Sequence, residues 1–243
     1  MCKGRPVKFA TLAGDLLTLA KPRNVGSLAH QLRRRLHSDE LQYGLRRDLA
    51  EPFEAPSAKI PLTIRPLRES DLPVLLGMDS ERISDRGSYV RMQRRRFFRE
   101  GIGQCYVAAT ADDEPCYMQW LLGGAENARI ARYFHGGFPA LAVDEALLEF
   151  AFTPEAQQGK GIMPAAMARI AEKAADLGAR HVITFVDHEN VPALKGCQRS
   201  GFRPYLLRSD RWRLFRRRVS FQPLPRGTRY PFEVEPPPTH EAN

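Results

Sequence analysis

Between Leu147 and Phe202 the chain reads as strand, glycine-rich turn, helix and strand, followed by Asn190 and a Gly201-Phe202 pair. The turn, Gln158-Gly159-Lys160-Gly161-Ile162-Met163, joins an apolar β-run to a long helix whose inner face has no polar interruption. A helix N-terminus leaves its first backbone N–H groups unpaired and carries a partial positive charge, and glycines let an anion approach those donors closely. An α/β chain with a phosphate cradle between strand and helix follows from that order.

Two well-known phosphate loops fail on the residues. A P-loop needs G-x-x-x-x-G-K-[ST], whereas Lys160 is followed by Gly161 and the metal-binding hydroxyl is missing. A dinucleotide fingerprint needs G-x-G-x-x-G directly after the strand. Gly159, Gly161 and Asp187 imitate it, but Pro164 stands at the third glycine, and residues 154–158 separate strand from turn.

A third pattern fits better. Gln158, Gly161 and Met163, with Gly159 as an additional glycine, resemble the Q/R-x-x-G-x-G/A acetyl-CoA motif of the GNAT acyltransferase superfamily. Ala174-Ala175-Asp176-Leu177-Gly178, the strand 181–186, Asn190 to Ala193 and Gly201-Phe202 are similar to the elements that follow it there. Residues 64–72 resemble the superfamily's first strand and helix start. The resemblance covers roughly 61–222 and implies a mixed, mostly antiparallel central sheet flanked by helices. Met163 departs from the pattern, and Pro164 after it costs little at a helix start. A second register, Ala156 to Gly161, restores both glycines and loses the leading Gln or Arg, so the alignment stays open.

Alternation along strand 145–153 places Ala146, Leu148, Phe150 and Phe152 on one apolar face, and Glu145, Leu147, Glu149, Ala151 and Thr153 on the other. A carboxylate on an otherwise apolar central strand has its pKa raised by desolvation, which suits a base near neutral pH. The resemblance puts a Glu in the Glu-Phe-Ala-Phe stretch, making Glu149 the first candidate base and Glu145 the second; a rim carboxylate paired with arginine is the alternative. The superfamily's usual acid, a Tyr four residues before Gly-Phe, is Cys197 here, either a proton donor or a buried structural thiol. Tyr205 is a further candidate, and His188 a weaker one. The resemblance also implies acetyl-CoA as co-substrate and no metal. Its pantetheine would lie beside Phe150, Ala151 and Phe152, its pyrophosphate on Gln158, Gly159, Lys160, Gly161, Ile162 and Met163, and its arm against Asn190.

Three segments are expected: a helical extension and connector over 1–60, the acyltransferase-like domain over 61–224, and a proline-rich flexible tail over 225–243. Helical spacing covers 9–20 and 25–37, residues 105–110 and 116–122 form a hairpin, 125–144 is irregular, and strands near 203–208 and 211–221 close the sheet. No apolar run is long enough to cross a membrane, and four cysteines without C-x-x-C spacing suit a reducing cytoplasm. The net charge of +9 favours acidic partners, of which CoA is one. Arg91–Phe98 and Arg208–Arg218 interleave cations with aromatics as single-strand nucleic-acid surfaces do. The function read from these features is N-acetyl transfer from acetyl-CoA to a primary amine in a ternary complex. An RNA- or ribosome-associated binding protein and a catalytically silent acyl-CoA sensor are the alternatives; acceptor and oligomeric state are not legible.

Overall fold

The stretch Pro115–Gly123 is apolar without alternation, as a strand covered on both faces must be. It forms β4, and Cys116 to Leu122 are all buried. The computed structural model describes residues 32–77 and 85–233, with backbone alone over 85–90. Around β4 stand β1 (His37–Asp48), β2 (Thr63–Pro66), β3 (Gln104–Ala109), β5 (Glu145–Phe152), β6 (His181–Asp187), β7 (Arg203–Arg213) and β8 (Arg216–Pro223). They form one sheet in the order β2-β3-β4-β5-β6-β1-β7-β8, antiparallel throughout except for β5 with β6. The helices are α1 (Leu72–Leu76), α2 (Asp85–Glu100), α3 (Asn127–Tyr133), α4 (Ile162–Glu172) and α5 (Val191–Arg199). The mixed, mostly antiparallel sheet flanked by helices agrees with the sequence reading.

Each face of the sheet has its own core. Ile162, Ala166 and Met167 of α4 and Leu194 and Cys197 of α5 pack with Leu45, Tyr117 and Leu148. On the other face Leu75, Leu76, Phe97 and Ile130 pack with Met118, Trp120, Leu122 and Leu147. An ion pair between Arg65 and Asp71, 2.7 Å apart and nearly dry, ties β2 to the start of α1. Asp113, in the hairpin turn, also accepts from Arg65 at 2.7 Å.

The extension over 1–60 is corrected at its C-terminal half. Residues 32–36 are helical, but His37–Asp48 is a strand in the sheet, pairing through Gln42–Asp48 with β6 and through His37–Arg46 with β7. Its polar sequence hid it, because its inward Arg47 finds two partners at the end of α4: Nη1 donates to the Ala168 carbonyl at 2.9 Å and Nη2 to Glu172 at 3.3 Å. From β1 the chain runs over α4, where Arg169 donates to the Leu62 carbonyl and the Lys59 amide to the Lys160 carbonyl. The predicted helix over 9–20 lies outside the described residues.

Two further boundaries move. The predicted break near 209–210 is instead a two-residue turn at Leu214-Phe215, with φ of +46° and +65°. Such turns ordinarily carry Asn or Gly, so this one had no sequence signal, and Leu214 at its tip is 77% exposed. The tail read as flexible over 225–243 is docked where it is described. Tyr230 is buried, donates its hydroxyl to the Phe202 carbonyl at 2.8 Å, and stacks on Phe232. Residues 234–243 lie outside the described residues. Within 125–144, read as irregular, α3 forms one short helix.

Because β1 supplies the hydrogen-bonding partner on one side of both β6 and β7, removing it opens the middle of the sheet. A chain beginning at Pro61 is expected to lack a cooperative thermal transition, whereas the full chain shows one. A sharp melt of the shortened chain, followed by circular dichroism, would mean that β1 is dispensable.

Candidate active site

The strand β5 parts from its parallel neighbour early. Glu145, Ala146 and Leu147 pair with His181, Val182 and Ile183, yet β5 continues to Phe152 and β6 to Asp187. Meanwhile β6 stays paired with β1 to its last residue, Asp187 with Gln42. Past Leu147 and Ile183 the sheet therefore opens as a wedge, and the backbone of 148–152 faces it without a strand partner on that side. An extended ligand chain can take up those hydrogen bonds.

At the mouth of the wedge β5 carries a bulge. Trp120 pairs with Glu149 and Met118 with Phe152, so one residue of β4 opposes Phe150 and Ala151 together. Phe150 is held at a φ of +56°, a left-handed conformation costly for a residue with a Cβ. The bulge corrects the simple alternation: Ala146 and Leu148 pack with the α4 side, but Phe150 and Phe152 turn onto the face of Leu147. Glu149, opposite Trp120, shares that face. Its Oε2 is buried without a hydrogen-bond partner among the described residues. Burial pushes its carboxyl up to about 7, against the downward pull of the Phe150 amide and the Arg208 charge.

Below the strand the chain makes a single 3-10 turn, Glu155–Gln157, and reaches Gly159 and Gly161 at φ of +74° and +72°. Gly161 is the N-cap of α4, with no side chain bonding back to the first turn. The amides from Gly159 to Met163 donate to no backbone carbonyl among the described residues. A Cβ on Gly159 would meet nothing within 4 Å, so the loop is open at that point. Gln158 turns its side-chain amide back to the Thr153 carbonyl at 3.3 Å, and Lys160 bonds Gln157 at 2.8 Å. Met163, the departure from the motif, fits because its thioether lies over Gly196 of α5, where a Cβ would come within 2.4 Å of the sulfur.

The other sequence candidates sit elsewhere. Glu145 accepts from the Ala142 amide at 3.0 Å and closes the turn into β5. Tyr205 neighbours it, under the Arg46 guanidinium, with its hydroxyl pKa raised chiefly by burial and also by Glu145. These two are at the foot of β5, about 13 Å from Glu149 at the rise of a strand. A cavity of about 710 Å³ opens beside them, lined by Arg46, His181, Arg203 and Tyr205, away from the wedge. Cys197 is a core residue, its thiol pushed up to about 12 by burial and its sulfur 3.8 Å from that of Met167. Asn190 caps α5, accepting from the Ala193 amide at 3.2 Å. The His188 ring lies 3.0 Å from the Leu41 carbonyl.

Three groups near Glu149 escaped the sequence reading. Arg94 of α2 lies over Phe152, 4.2 Å from the ring centroid, and approaches the Ala151 carbonyl at 3.4 Å. Arg208 of β7 is 9% exposed and reaches Phe138 and Phe185. Asp210, two residues on, also points inward and accepts from Arg208 and Arg217. The basic runs thus turn part of their charge and aromatic content inward: Phe97 is fully buried, and Trp212 packs under Arg35.

The profile of the acetyltransferase (GNAT) domain matches residues 61–203, more than half of the chain. The chain belongs to the GNAT acetyltransferase family. No curated protein matches it. Among solved structures it is similar to a GCN5-related N-acetyltransferase from Sphaerobacter thermophilus, at 13% identity, over 86% of this chain and 64% of that one, with a TM-score of 0.45. A GNAT-family acetyltransferase from Colwellia psychrerythraea shares 11% identity over 90% and 74% of the two chains, with a TM-score of 0.43. A GCN5-related glucosamine N-acetyltransferase region of a fungal multi-domain GH3 β-N-acetylglucosaminidase shares 12% identity, over 78% of this chain and 23% of that one, with a TM-score of 0.51. Among the described residues no helix is long and apolar enough to cross a membrane, and no cluster of metal-ligating side chains occurs.

The raised carboxyl of Glu149 gives a stability test. The folded state holds its proton to higher pH than the unfolded chain does, so its contribution is fully present below about pH 4.5 and lost as pH rises through about 7. Glu149→Gln removes that loss. We expect the variant to melt above the wild type at pH 8 and to close the gap toward pH 5. A difference independent of pH would show that Glu149 ionises as an ordinary exposed carboxylate.

Proposed function

We propose that the protein transfers an acetyl group from acetyl-CoA to a primary amine by direct attack within a ternary complex. The single observation that carries this reading is Glu149, a partly buried carboxyl with an unpartnered oxygen, at a strained bulge beside a wedge in the sheet. The wedge and the glycine loop supply complementary halves of a CoA site. The unpaired edge of β5 from Phe150 to Phe152 matches an amide-bearing pantetheine chain. The free amides from Gly159 to Met163, at the N-terminus of α4, match a pyrophosphate.

In the reaction the amine nitrogen forms a bond to the thioester carbonyl carbon, and the carbon–sulfur bond then breaks. The proton released from nitrogen goes to Glu149, directly or through one water, and the thiolate of CoA leaves and is protonated from solvent. With a carboxyl near 7, Glu149 is ionised for a useful fraction of molecules at neutral pH and still basic enough to accept. Cys197, a dry core thiol, and Tyr205, at the foot of the strand, are assigned no part in proton transfer. Three free buried thiols, Cys105, Cys116 and Cys197, fit a reducing cytoplasmic setting. Phe97 and Arg208 are buried, and of the aromatics in the two basic runs Phe215 alone is exposed, which favours the enzyme over a nucleic-acid surface, because a stacking platform needs successive exposed rings.

Two measurements check the assignment. Glu149→Gln keeps the shape of the side chain, so turnover is expected to fall by roughly 10²–10⁴ at neutral pH with CoA binding retained. The rate of the wild type should climb as pH rises through about 7, a limb that the variant lacks. Wild-type turnover at neutral pH in the variant would remove Glu149 from the chemistry.

Gly159→Ala places a methyl group in space open on the protein side, at a φ that costs Ala about 1–2 kcal/mol. CoA affinity measured by calorimetry should drop at least ~10-fold while the fold survives. Unchanged affinity would place the pyrophosphate elsewhere.

A further inference from the structure

The cavity of about 710 Å³ at the foot of β5 lies outside the acetyl-transfer machinery, and four arginines line it: Arg46, Arg180, Arg203 and Arg226. Two carboxylates, Asp48 and Glu51, stand against them. Asp48 is already committed. It accepts from Arg180 at 2.8 Å through Nη2 and at 3.0 Å through Nε, and from the Ala50 amide at 2.9 Å. Those bonds hold its carboxyl well below the usual carboxylate range. The guanidinium groups of Arg46, Arg203 and Arg226 make no hydrogen bond or ion pair among the described residues. Within the lining, Glu51 is thus the one carboxylate left for three cations.

The fold brings these cations together from three segments. Arg46 of β1 and Arg203 of β7 stand directly opposite each other in the antiparallel ladder, where like charges repel. The Arg46 guanidinium lies 5.2 Å from the ring centroid of Tyr205, two residues along β7 from Arg203. That stack steadies the group and leaves the N–H donors at its rim unused. Arg226 comes from the segment after β8. There the Leu224 amide donates to the Tyr205 carbonyl at 2.9 Å and ties the segment to β7. The Thr228 amide and hydroxyl then both donate to the Pro225 carbonyl, at 3.2 and 2.7 Å, and close a turn that carries Arg226. Solubility alone does not require two arginines to face each other across one cavity. An anion between them removes the repulsion.

We propose that this cavity binds a small phosphate ester at a site separate from that of CoA, with Arg46, Arg203 and Arg226 holding the phosphate group. Three guanidinium groups from three segments suit a tetrahedral phosphate, which offers three strong acceptor oxygens, better than a planar carboxylate with two. The volume exceeds what a bare phosphate ion fills and lies in the range of small-ligand pockets. Tyr205, Pro204, Leu224 and Pro225 supply an apolar wall for the organic part of the ester. The site does not depend on the identity of the catalytic base.

Calorimetry on the full-length protein at fixed ionic strength tests this with glucose 6-phosphate against glucose, AMP against adenosine, and citrate as a carboxylate anion. At least one of the two esters is expected to bind about 10-fold or more tightly than both its phosphate-free counterpart and citrate. Saturating CoA should leave that binding unchanged. Arg203→Gln and Arg226→Gln, both at exposed positions, should each weaken the ester by about 10-fold or more. Arg211→Gln removes the same charge near the turn of the β7–β8 hairpin and should change it by less than about 3-fold. Absence of a preference for either ester, citrate binding as tightly, or displacement of the ester by CoA overturns the proposal. So does unchanged binding in either Arg203→Gln or Arg226→Gln, or an equal loss in Arg211→Gln, which would reduce the effect to net charge.

Discussion

The divergence of β5 from β6 is the feature on which the rest depends. Two parallel strands that pair for only three residues leave a polar backbone edge inside the domain, a state that protein interiors avoid unless a partner is provided. The divergence is imposed from outside the wedge. On its far side β6 is bonded along its whole length to β1, so it follows that strand and not β5. On the near side the bulge at Phe150 bends β5 toward β4. A strand from outside the family-matched span thereby helps to shape the proposed CoA site.

The same segment reaches the glycine loop by a second route. After β1 the chain crosses α4, with Phe53 against Arg47 and Gly201, and Lys59 bonded to Lys160. The crossing covers the apolar outer face of α4 with Ala58, Ile60 and Leu62. Such a brace fixes the N-terminal amides of α4, and positions set within about half an ångström matter for binding polar groups. The two ends of the described chain, β1 at one and Tyr230 at the other, close over the same core around α4 and α5.

Much of this was legible in the residues. The strand–turn–helix order, the hairpin around Asp113 and the unpaired amides of the glycine loop follow from composition and periodicity, and Glu149 stands out as an acid on an apolar strand. What stayed hidden has particular physical causes. Strand β1 is polar because its inward Arg47 finds carbonyl and carboxylate partners on α4, which no local pattern announces. The turn at Leu214-Phe215 uses residues that ordinarily avoid positive φ. The bulge at Phe150 reversed the facing of Phe150 and Phe152, because one inserted residue defeats a period of two. Arg208 was readable in principle: extending the alternation from Pro204 and Leu206 puts Arg208 and Asp210 inward, and all four are buried. The run of arginines around them masked that register.

Where CoA lies is the most direct test of the proposed site. Amide hydrogen exchange of the full-length protein, with and without saturating CoA, locates it residue by residue. CoA in the wedge brings new protection at Phe150 to Phe152 and at Gly159 to Met163, with the hairpin of β7 and β8 unchanged around its turn. Protection confined to that basic hairpin, or to the cavity beside Tyr205, with no change in the wedge or the glycine loop, would contradict it.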